Sequence, residues 1–355
     1  MVKNIEDEKN NKLKISIIIP CRNEEKYINK CLDSVINQDY SKEILEVLVI
    51  DGMSKDNTKK ILEDYSHRYH FIRYLENPKK ITPCALNIGI KNAKGEIIIR
   101  MDAHAKYEKY YISKCVKYLN EYNVDNVGGN MITLPIEDTL IGRSIVKVLT
   151  SKFGVGNSAF RTGSKEPKFV DTVFGGCYRK EVFDKIGLFN ENLSSSQDME
   201  FNLRLIRSGG KILLVPDILS YYYTRSNPVS FIKNNFRNGF WAVYPLKFVK
   251  IPLRWRHYIP LAFVSALLGS ALLAFYWRIF GYFFLFITGL YLLGNAFFSA
   301  KIVVSEKNWR YFFITILTFT IFHLSYGFGS MVGLVKVLFS KNFWSIHLRK
   351  DNIYT

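Results

Sequence analysis

Acidic residues almost disappear from the last part of this 355-residue chain. From Ser226 onward there are 14 Lys and Arg but only two acids, Glu306 and Asp351. Residues 1–225 carry 35 basic and 29 acidic residues, so the net charge of +18 divides into +6 and then +12. A basic, apolar terminal part points to an anionic membrane surface. Basic residues among aromatics also occur in nucleic-acid binders, but the long apolar runs here argue against a nucleic-acid partner. Cysteine is scarce as well, with residues only at 21, 31, 84, 115 and 177. They show no paired short spacing, which argues against a zinc site, and reduced thiols facing the cytoplasm are expected. The opening MVKNIEDEKNNKLK lacks the apolar core of a secretory signal, so the first domain is expected in the cytoplasm.

What the chain has in abundance is apolar and aromatic side chains: 48% hydrophobic residues, 27 Phe and 22 Tyr. Its length exceeds one ordinary domain. The first half alternates short apolar runs with helical periodicity. Ile15–Pro20, Leu45–Asp51, Phe71–Leu75 and Glu96–Met101 read as strands, and residues 25–37, 56–69 and 82–93 between them as helices. Thr82 is expected as an N-cap with Pro83 in the first turn. This alternation implies βαβ units and a parallel sheet in an α/β domain. Further on, 124–133 reads as a strand, 139–152 as an amphipathic helix and 153–172, rich in Gly and Ser, as a mobile loop. Strand, turn and helix follow over 173–188, then a helix over 198–208 ending at Gly209-Gly210, and a strand over 211–215.

Residues 226–256 combine basic and aromatic side chains without an acid. They read as an interfacial segment, with an ordinary amphipathic helix packed on protein as the alternative. Residues 257–276, 279–298 and 311–339 each approach or exceed the ~20 apolar residues needed to cross a bilayer. Three spans would place the C-terminus outside, against the basic residues Lys336, Lys341, Arg349 and Lys350. Gly327, Gly329 and Gly333 allow the third segment to re-enter or break. The expected organisation is a polar tail over 1–13, a cytoplasmic domain over 14–225, the interfacial segment over 226–256, about three membrane helices over 257–339 and a basic tail over 340–355.

One stretch stands out for chemistry. Ile97-Ile98-Ile99 reads as a buried parallel strand, and it breaks at Asp102-Ala103-His104. Ligands of open α/β sheets sit beyond the carboxyl ends of strands. Two residues apart on extended backbone, Asp102 and His104 are expected to point the same way and to hold a divalent cation. The plainer alternative is a strand-end Asp serving the next helix, with His104 in a loop.

Five short runs together resemble family 2 glycosyltransferases, which have the GT-A fold. They are Pro20-Cys21-Arg22-Asn23-Glu24-Glu25, then Asp51-Gly52-Met53-Ser54-Lys55-Asp56-Asn57-Thr58, then Leu86-Asn87-Ile88-Gly89 before Lys94-Gly95, then Asp102-Ala103-His104, and Gln197-Asp198. The match covers roughly residues 13–225 in order. Phe153-Gly154-Val155-Gly156-Asn157, Val170-Asp171-Thr172 and His323-Leu324-Ser325-Tyr326-Gly327 are similar to the narrower succinoglycan-type, ExoA-like membrane group. Two positions depart from the family pattern: His104 stands where a second Asp is usual, and Gln197 where a Glu is usual.

The resemblance implies a GT-A Rossmann-like mixed sheet followed by an α-helical membrane region, and transfer of one sugar from a nucleotide sugar, UDP-linked. Pro20, Arg22, Glu24, Asp51, Asn87, Asp102, Gly175, Gly176 and Gln197 fall on its substrate-binding positions. Asp102 and His104 fall on the metal motif, for Mn²⁺ or Mg²⁺, with imidazole favouring Mn²⁺. Asp198 falls on the general base, which would make the enzyme inverting. The residue chemistry leaves alternatives beside these roles. Glu24 and Asp51 could serve helix N-termini, Asp56 and Thr58 could cap the second helix, and Asn87 and Lys94 could be structural. Gly175-Gly176 could be a turn, Asp198 an N-cap, and Glu200 a reserve carboxylate. The family's processive synthases carry Gln-x-x-Arg-Trp, and Phe236-Arg237-Asn238-Gly239-Phe240-Trp241 is not that motif. The expected acceptor is therefore a polyprenyl-diphosphate-linked saccharide, with anionic lipids holding the basic segment. A polyprenyl-phosphate glycosyl synthase and a catalytically silent membrane scaffold are the alternatives.

Overall fold

The computed structural model describes residues 13–250 and 253–348. The expected polar tail, apart from Leu13, and the basic residues Arg349 and Lys350 lie outside the described residues. In order, the chain forms β1 (Ile15–Cys21), α1 (Ile28–Ile36), β2 (Leu45–Asp51), α2 (Thr58–Arg68), β3 (Ile72–Glu76), α3 (Thr82–Asn92), β4 (Ile97–Arg100), β5 (Ala105–Tyr107), α4 (Tyr111–Glu121) and β6 (Asn126–Pro135). There follow α5 (Leu140–Thr150), α6 (Lys152–Val155), α7 (Ala159–Thr162), β7 (Lys168–Phe169), β8 (Cys177–Arg179), α8 (Glu181–Ile186), α9 (Gln197–Arg207) and β9 (Ile212–Thr224). The last elements are α10 (Pro228–Val243), α11 (Ile259–Leu273), α12 (Arg278–Glu306), α13 (Tyr311–Leu338) and α14 (Lys341–Leu348).

Two compact units emerge, Met1–Ile132 with Gly163–Tyr222, and Thr133–Thr162 with Tyr223–Thr355. This differs from the division expected from sequence. Residues 133–162 belong with the helical unit, because Phe153 and the apolar face of α5 are buried there.

In the first unit the sheet runs β3-β2-β1-β4-β8-β6-β9-β5, with β7 beside β9. β3, β2, β1 and β4 are parallel, as the apolar runs imply, and Ile17, Ile19, Val47, Val49 and Ile99 are fully buried among them. The register pairs Cys21 with Asp51 and Ile18 with Arg100, so the carboxyl ends of β1, β2 and β4 share one edge. Beyond β4 the strands turn antiparallel. The sheet is thus mixed, as the resemblance implied, with the alternating βαβ units supplying its parallel half. β8 is only three residues long, and β9 extends to thirteen, its second half being SYYYT rather than an apolar run. β5 and β7 carry no periodic signal at two or three residues. Residues 153–172, expected as a mobile loop, contain two helical turns and β7. The N-cap of α3 is Ile81, with Thr82 already helical and Pro83 in the first turn.

The second unit holds three helices long and apolar enough to cross a membrane, Trp255–Leu273, Arg278–Glu306 and Tyr311–Leu338. Leu272, Leu285, Leu293, Phe297, Phe313 and Leu317 leave apolar surface uncovered along them, as lipid-facing helices do. The third candidate is a continuous helix, not the broken or re-entrant segment its glycines allowed. Its small residues admit a neighbour instead: a Cβ on Gly329 would stand 2.0 Å from the Phe236 carbonyl oxygen, and one on Gly239 1.9 Å from that of Tyr326. Ser330 Oγ donates to the Gly239 carbonyl at 3.0 Å. So α10 presents Phe231, Asn235, Gly239 and Ala242 to protein, while Lys233, Phe236 and Arg237 on its other side stay exposed. The interfacial expectation for this segment therefore applies to one face only. Two motif runs also meet here. The Phe153 ring lies 4.9 Å from that of His323 and 5.0 Å from that of Phe298, and the Phe153 carbonyl oxygen is 3.0 Å from His323 Nε2. Tyr291 Oη stands 3.1 Å from His323 Nδ1.

Candidate active site

The loops after β1 and β2 are laced together. Asn23 N–H donates to Ser54 Oγ at 2.8 Å, Lys55 N–H to Asn23 Oδ1 at 2.9 Å, and Glu24 N–H to Thr58 Oγ1 at 2.8 Å. Asn57 N–H reaches Glu25 Oε2 at 3.0 Å. This explains why both loops are rich in short polar residues: each side chain completes the other loop's backbone. Asp56 accepts the Thr58 N–H at 3.0 Å, the helix-start role weighed for it above. Asp51 is 1% exposed, and its carboxylate accepts the Ser54 N–H at 2.9 Å and the Ser54 hydroxyl. It is a turn-former at the sheet edge. Pro20 stands next to the end of β1, opposite Ile50, and the Arg22 stem covers Gly52 while the residue itself stays exposed.

Glu24 leaves this lacework toward the loop after β4, where its Oε1 lies 3.3 Å from His104 Nδ1. The backbone there is not extended. Ala105 N–H donates to the Asp102 carbonyl at 3.2 Å, closing a tight turn, and Asp102 N–H donates to the Tyr107 hydroxyl at 2.7 Å. The expectation that Asp102 and His104 share one side of a strand is corrected by that turn: Asp102 takes Arg100 and His104 takes Glu24 as partners. The His104 ring also meets Tyr222 edge-on at 5.0 Å. Burial opposes charge on His104, but the hydrogen bond to Glu24 and the nearby Asp102 outweigh it and raise its pKa to about 10.

Arg100, the last residue of β4, was not singled out from sequence. It is 7% exposed, with Nη1 2.6 Å from Asp198 Oδ2 and Nη2 3.1 Å from Asp102 Oδ1. Burial works against its charge, and the two carboxylates more than compensate, holding the guanidinium ionised. The clue was a charged residue directly after three buried isoleucines, where only a paired charge can stay.

Asp198 is brought into this cluster by α9. The helix begins at Gln197, and its N-cap is Ser196, in a left-handed conformation at φ 64°. Asp198 lies inside the first turn with its carboxylate on Arg100, so the N-cap alternative fails. Gln197 is 6% exposed, and its Oε1 has no hydrogen-bond partner among the described residues. Farther along α9, Asn202 is fully buried, accepts from Asn126 and Tyr178 and donates to Thr172 Oγ1 at 3.0 Å, fixing the helix to β6 and β8. Glu200 is engaged by Arg204 at 3.0 Å and is not a spare carboxylate.

Gly175 and Gly176 serve the same cluster from behind. Their φ values are +69° and +113°, and a Cβ on Gly175 would lie 2.6 Å from the Arg100 carbonyl oxygen. Arg100 N–H donates to the Gly176 carbonyl at 2.9 Å. Their closeness is to Arg100 backbone. Asn87, expected at the nucleotide, is instead a fastening: its amide donates to the Phe189 carbonyl at 2.9 Å and accepts the Phe189 N–H at 3.0 Å. Its other N–H goes to Glu191 at 3.1 Å, so both donors of this buried amide are engaged by protein.

Among the described residues no group of three or more His, Cys, Asp and Glu forms a ready metal cage. Asp102 and His104 nevertheless supply a carboxylate and an imidazole, a donor pair suited to Mn²⁺, and Mg²⁺-type sites take much of their shell from substrate phosphates and water. These two donors would leave most of a cation's shell to its ligand, and His104 would first have to give up the proton that its contact with Glu24 favours.

Comparisons with known proteins identify the family. The model described as "Glycosyl transferase family 2" matches residues 16–187. The dolichyl N-acetyl-alpha-D-glucosaminyl phosphate 3-beta-D-2,3-diacetamido-2,3-dideoxy-beta-D-glucuronosyltransferase of Methanococcus voltae is 33% identical over 334 residues, 91% of this chain and 97% of that protein. Succinoglycan biosynthesis protein ExoA of Rhizobium meliloti is 27% identical over 225 residues, 63% of this chain and 67% of that one. The mannosyltransferase PcManGT of Pyrobaculum calidifontis, solved with GDP-Man and Mn²⁺, superposes with a TM-score of 0.61 at 18% identity, covering 92% of this chain and 88% of its own. The fold is GT-A, an α/β domain with a mixed sheet, joined to a helical region.

Proposed function

Given that the chain belongs to glycosyltransferase family 2, we propose that it transfers one sugar, with inversion, from a nucleotide-sugar donor to a sugar carried on a polyprenyl phosphate at the cytoplasmic membrane face. The observation that carries this reading is the meeting of Asp102 and Asp198 on one buried guanidinium. One carboxylate comes from the strand end where diphosphates bind, the other from the helix across from it. Asp198 is the base that takes the acceptor hydroxyl proton, a role worth ~10²–10⁴-fold. Glu24 and Asp51 border the nucleotide, taken to be UDP-linked, and Gln197 brings its free carbonyl oxygen to the acceptor side. Asp102 and His104 would hold Mn²⁺ or Mg²⁺, which when bound neutralises the departing diphosphate.

The acceptor class follows from two supports. The M. voltae relative is named for a dolichyl-phosphate-linked amino sugar, and its similarity extends over 91% of this chain, apolar helices included. A site carried with three such helices suits a lipid substrate. A diphosphate-linked saccharide is the second acceptor to try, and bare polyprenyl phosphate the third. Anionic lipids would meet the exposed basic side chains of α10.

The test is a screen of radiolabelled UDP- and GDP-sugars with membranes containing the protein and each lipid acceptor, with and without Mn²⁺. Label is expected in the lipid phase. Transfer that persists in Asp198→Asn would remove the base assignment. Transfer indifferent both to chelator and to Asp102→Ala would remove the cation site, and a product free of polyprenyl lipid would remove the acceptor class.

A further inference from the structure

We propose that Arg100 is a positioning residue that couples the donor side of the site to the acceptor side, by sharing one guanidinium between Asp102 and Asp198. This rests on the roles just given to those two carboxylates.

Three observations carry it. First, the fork is divided: Nη1 holds Asp198 Oδ2 and Nη2 holds Asp102 Oδ1. Each carboxylate is held by Arg100 through one oxygen, which leaves Asp198 Oδ1 and Asp102 Oδ2 outside the guanidinium contact. A lysine, being a point charge without a planar fork, cannot hold two carboxylates in this way. Second, the Arg100 backbone is fixed on both sides, by strand pairing to Ile18 and by the Gly175-Gly176 approach. Third, Arg100 Nε is buried and has no partner among the described residues. Among the described residues the guanidinium hydrogen bonds are therefore those to the two carboxylates.

The consequence is directional. Two carboxylates share one positive charge, leaving a net negative charge that favours a cation at Asp102. The Asp102 oxygens that would hold a divalent cation would then be withdrawn from Arg100 Nη2, leaving Asp198 as the partner of the guanidinium. Donor loading thus firms the hold on the base, and the acceptor meets an aligned Asp198 only after the donor is in place.

The experiment compares wild type, Arg100→Gln, Arg100→Lys, Asp198→Asn and the double variant Arg100→Gln/Asp198→Asn in the full-length, detergent-solubilised chain. Binding of Mn²⁺ alone is read from the electron paramagnetic resonance of the free ion, and transfer is read with the substrate pair the screen identifies. Removing the competing charge is expected to tighten Mn²⁺ binding at least threefold in Arg100→Gln while kcat falls at least thirtyfold and donor KM stays within threefold. Arg100→Lys keeps the charge and is expected to bind Mn²⁺ within twofold of wild type, with kcat still reduced tenfold. If Arg100→Gln does not fold, the same threefold tightening is expected between Asp198→Asn and the double variant, in which no buried carboxylate loses its partner at position 198. Mn²⁺ binding that is unchanged or weaker without Arg100, or wild-type kcat in Arg100→Gln, overturns the coupling. An active Asp198→Asn overturns the base assignment separately, while the Mn²⁺ series still decides whether Arg100 competes at Asp102.

Discussion

Nδ1 of His104 lies 3.3 Å from Oε1 of Glu24, although 80 positions separate them in the chain. The contact exists because β1 and β4 are parallel neighbours whose ends share an edge. It orients the imidazole by Nδ1 and favours its protonated form, so Nε2 would have to lose its proton before it could take a cation. Carboxylates behind metal-bound imidazoles typically contribute about 10–100-fold to metal affinity. Glu24→Ala is therefore expected to weaken Mn²⁺ binding by about that factor, and Glu24→Gln by less, because the amide oxygen still accepts. Equal Mn²⁺ binding in wild type and Glu24→Ala, measured by calorimetry, would separate Glu24 from His104 function.

Asn87 gives the opposite pattern. Its side chain closes a backbone-like pair with Phe189 and also donates to Glu191 at 3.1 Å. Asn87→Ala leaves the buried Phe189 groups unpaired, at an expected cost of about 1–3 kcal/mol. Thermal unfolding should fall accordingly while donor KM changes less than threefold. A large rise in KM without lost stability would return Asn87 to the nucleotide.

Glu191 predicts a pH effect. Hydrogen bonds from Lys79, Asn87 and Cys84 lower its pKa to about 2. A lowered carboxylate contributes stability above its unfolded pKa of about 4.3 and loses it as pH falls through the folded value. Its side chain is 37% exposed, which limits the contribution to under about 1 kcal/mol. Glu191→Gln should therefore flatten the decline in stability between pH about 4.3 and 2, with no further difference below that window. Denaturant melts across that range provide the check.

Gly175→Ala tests the backing of Arg100. The new methyl would press on the Arg100 carbonyl, and φ of +69° is disfavoured for alanine. The expected cost is about 1–3 kcal/mol, and kcat should fall at least tenfold because Arg100 moves with its backbone. Full activity in Gly175→Ala would show that the carboxylate cluster tolerates the shift.

The parallel half of the sheet was legible because its strands are buried on both faces. β2 spans Leu45–Asp51 in the structure as its apolar run implies. The antiparallel half was not, since β8 is too short to show a period and β9 ends in Ser-Tyr-Tyr-Tyr-Thr, which is not an apolar run. Of the site, Asp102, His104 and Asp198 were visible as short motifs. Arg100 was hidden by its place at the end of an isoleucine run, and its meaning depends on α9 coming to it. At Asn87 the motif side chain is engaged by backbone 102 residues away, the structural alternative that the residue type had left open.

The glycine seam between α10 and α13 bears on how many times the polypeptide threads the bilayer. Pairing runs in parallel from Phe231 beside Phe322 to Lys336 over the Phe240 ring, occupying more than half of α13. A helix carrying exposed Lys233 and Arg237 cannot accompany its neighbour through hydrocarbon. Residues 311–321, ahead of that pairing, would reach only about 17 Å at 1.5 Å per residue, short of the ~30 Å core. We therefore expect α11 and α12 to traverse the lipid as a hairpin, with α13 along the head-group zone beside α10. An even count would put Lys336 and Lys341 on the cytoplasmic side, in keeping with the charge rule. Single cysteines introduced at Lys341 and in the loop at Trp277, treated with a membrane-impermeant maleimide on intact cells, should label at 277 and not at 341; labelling at both would mean three crossings.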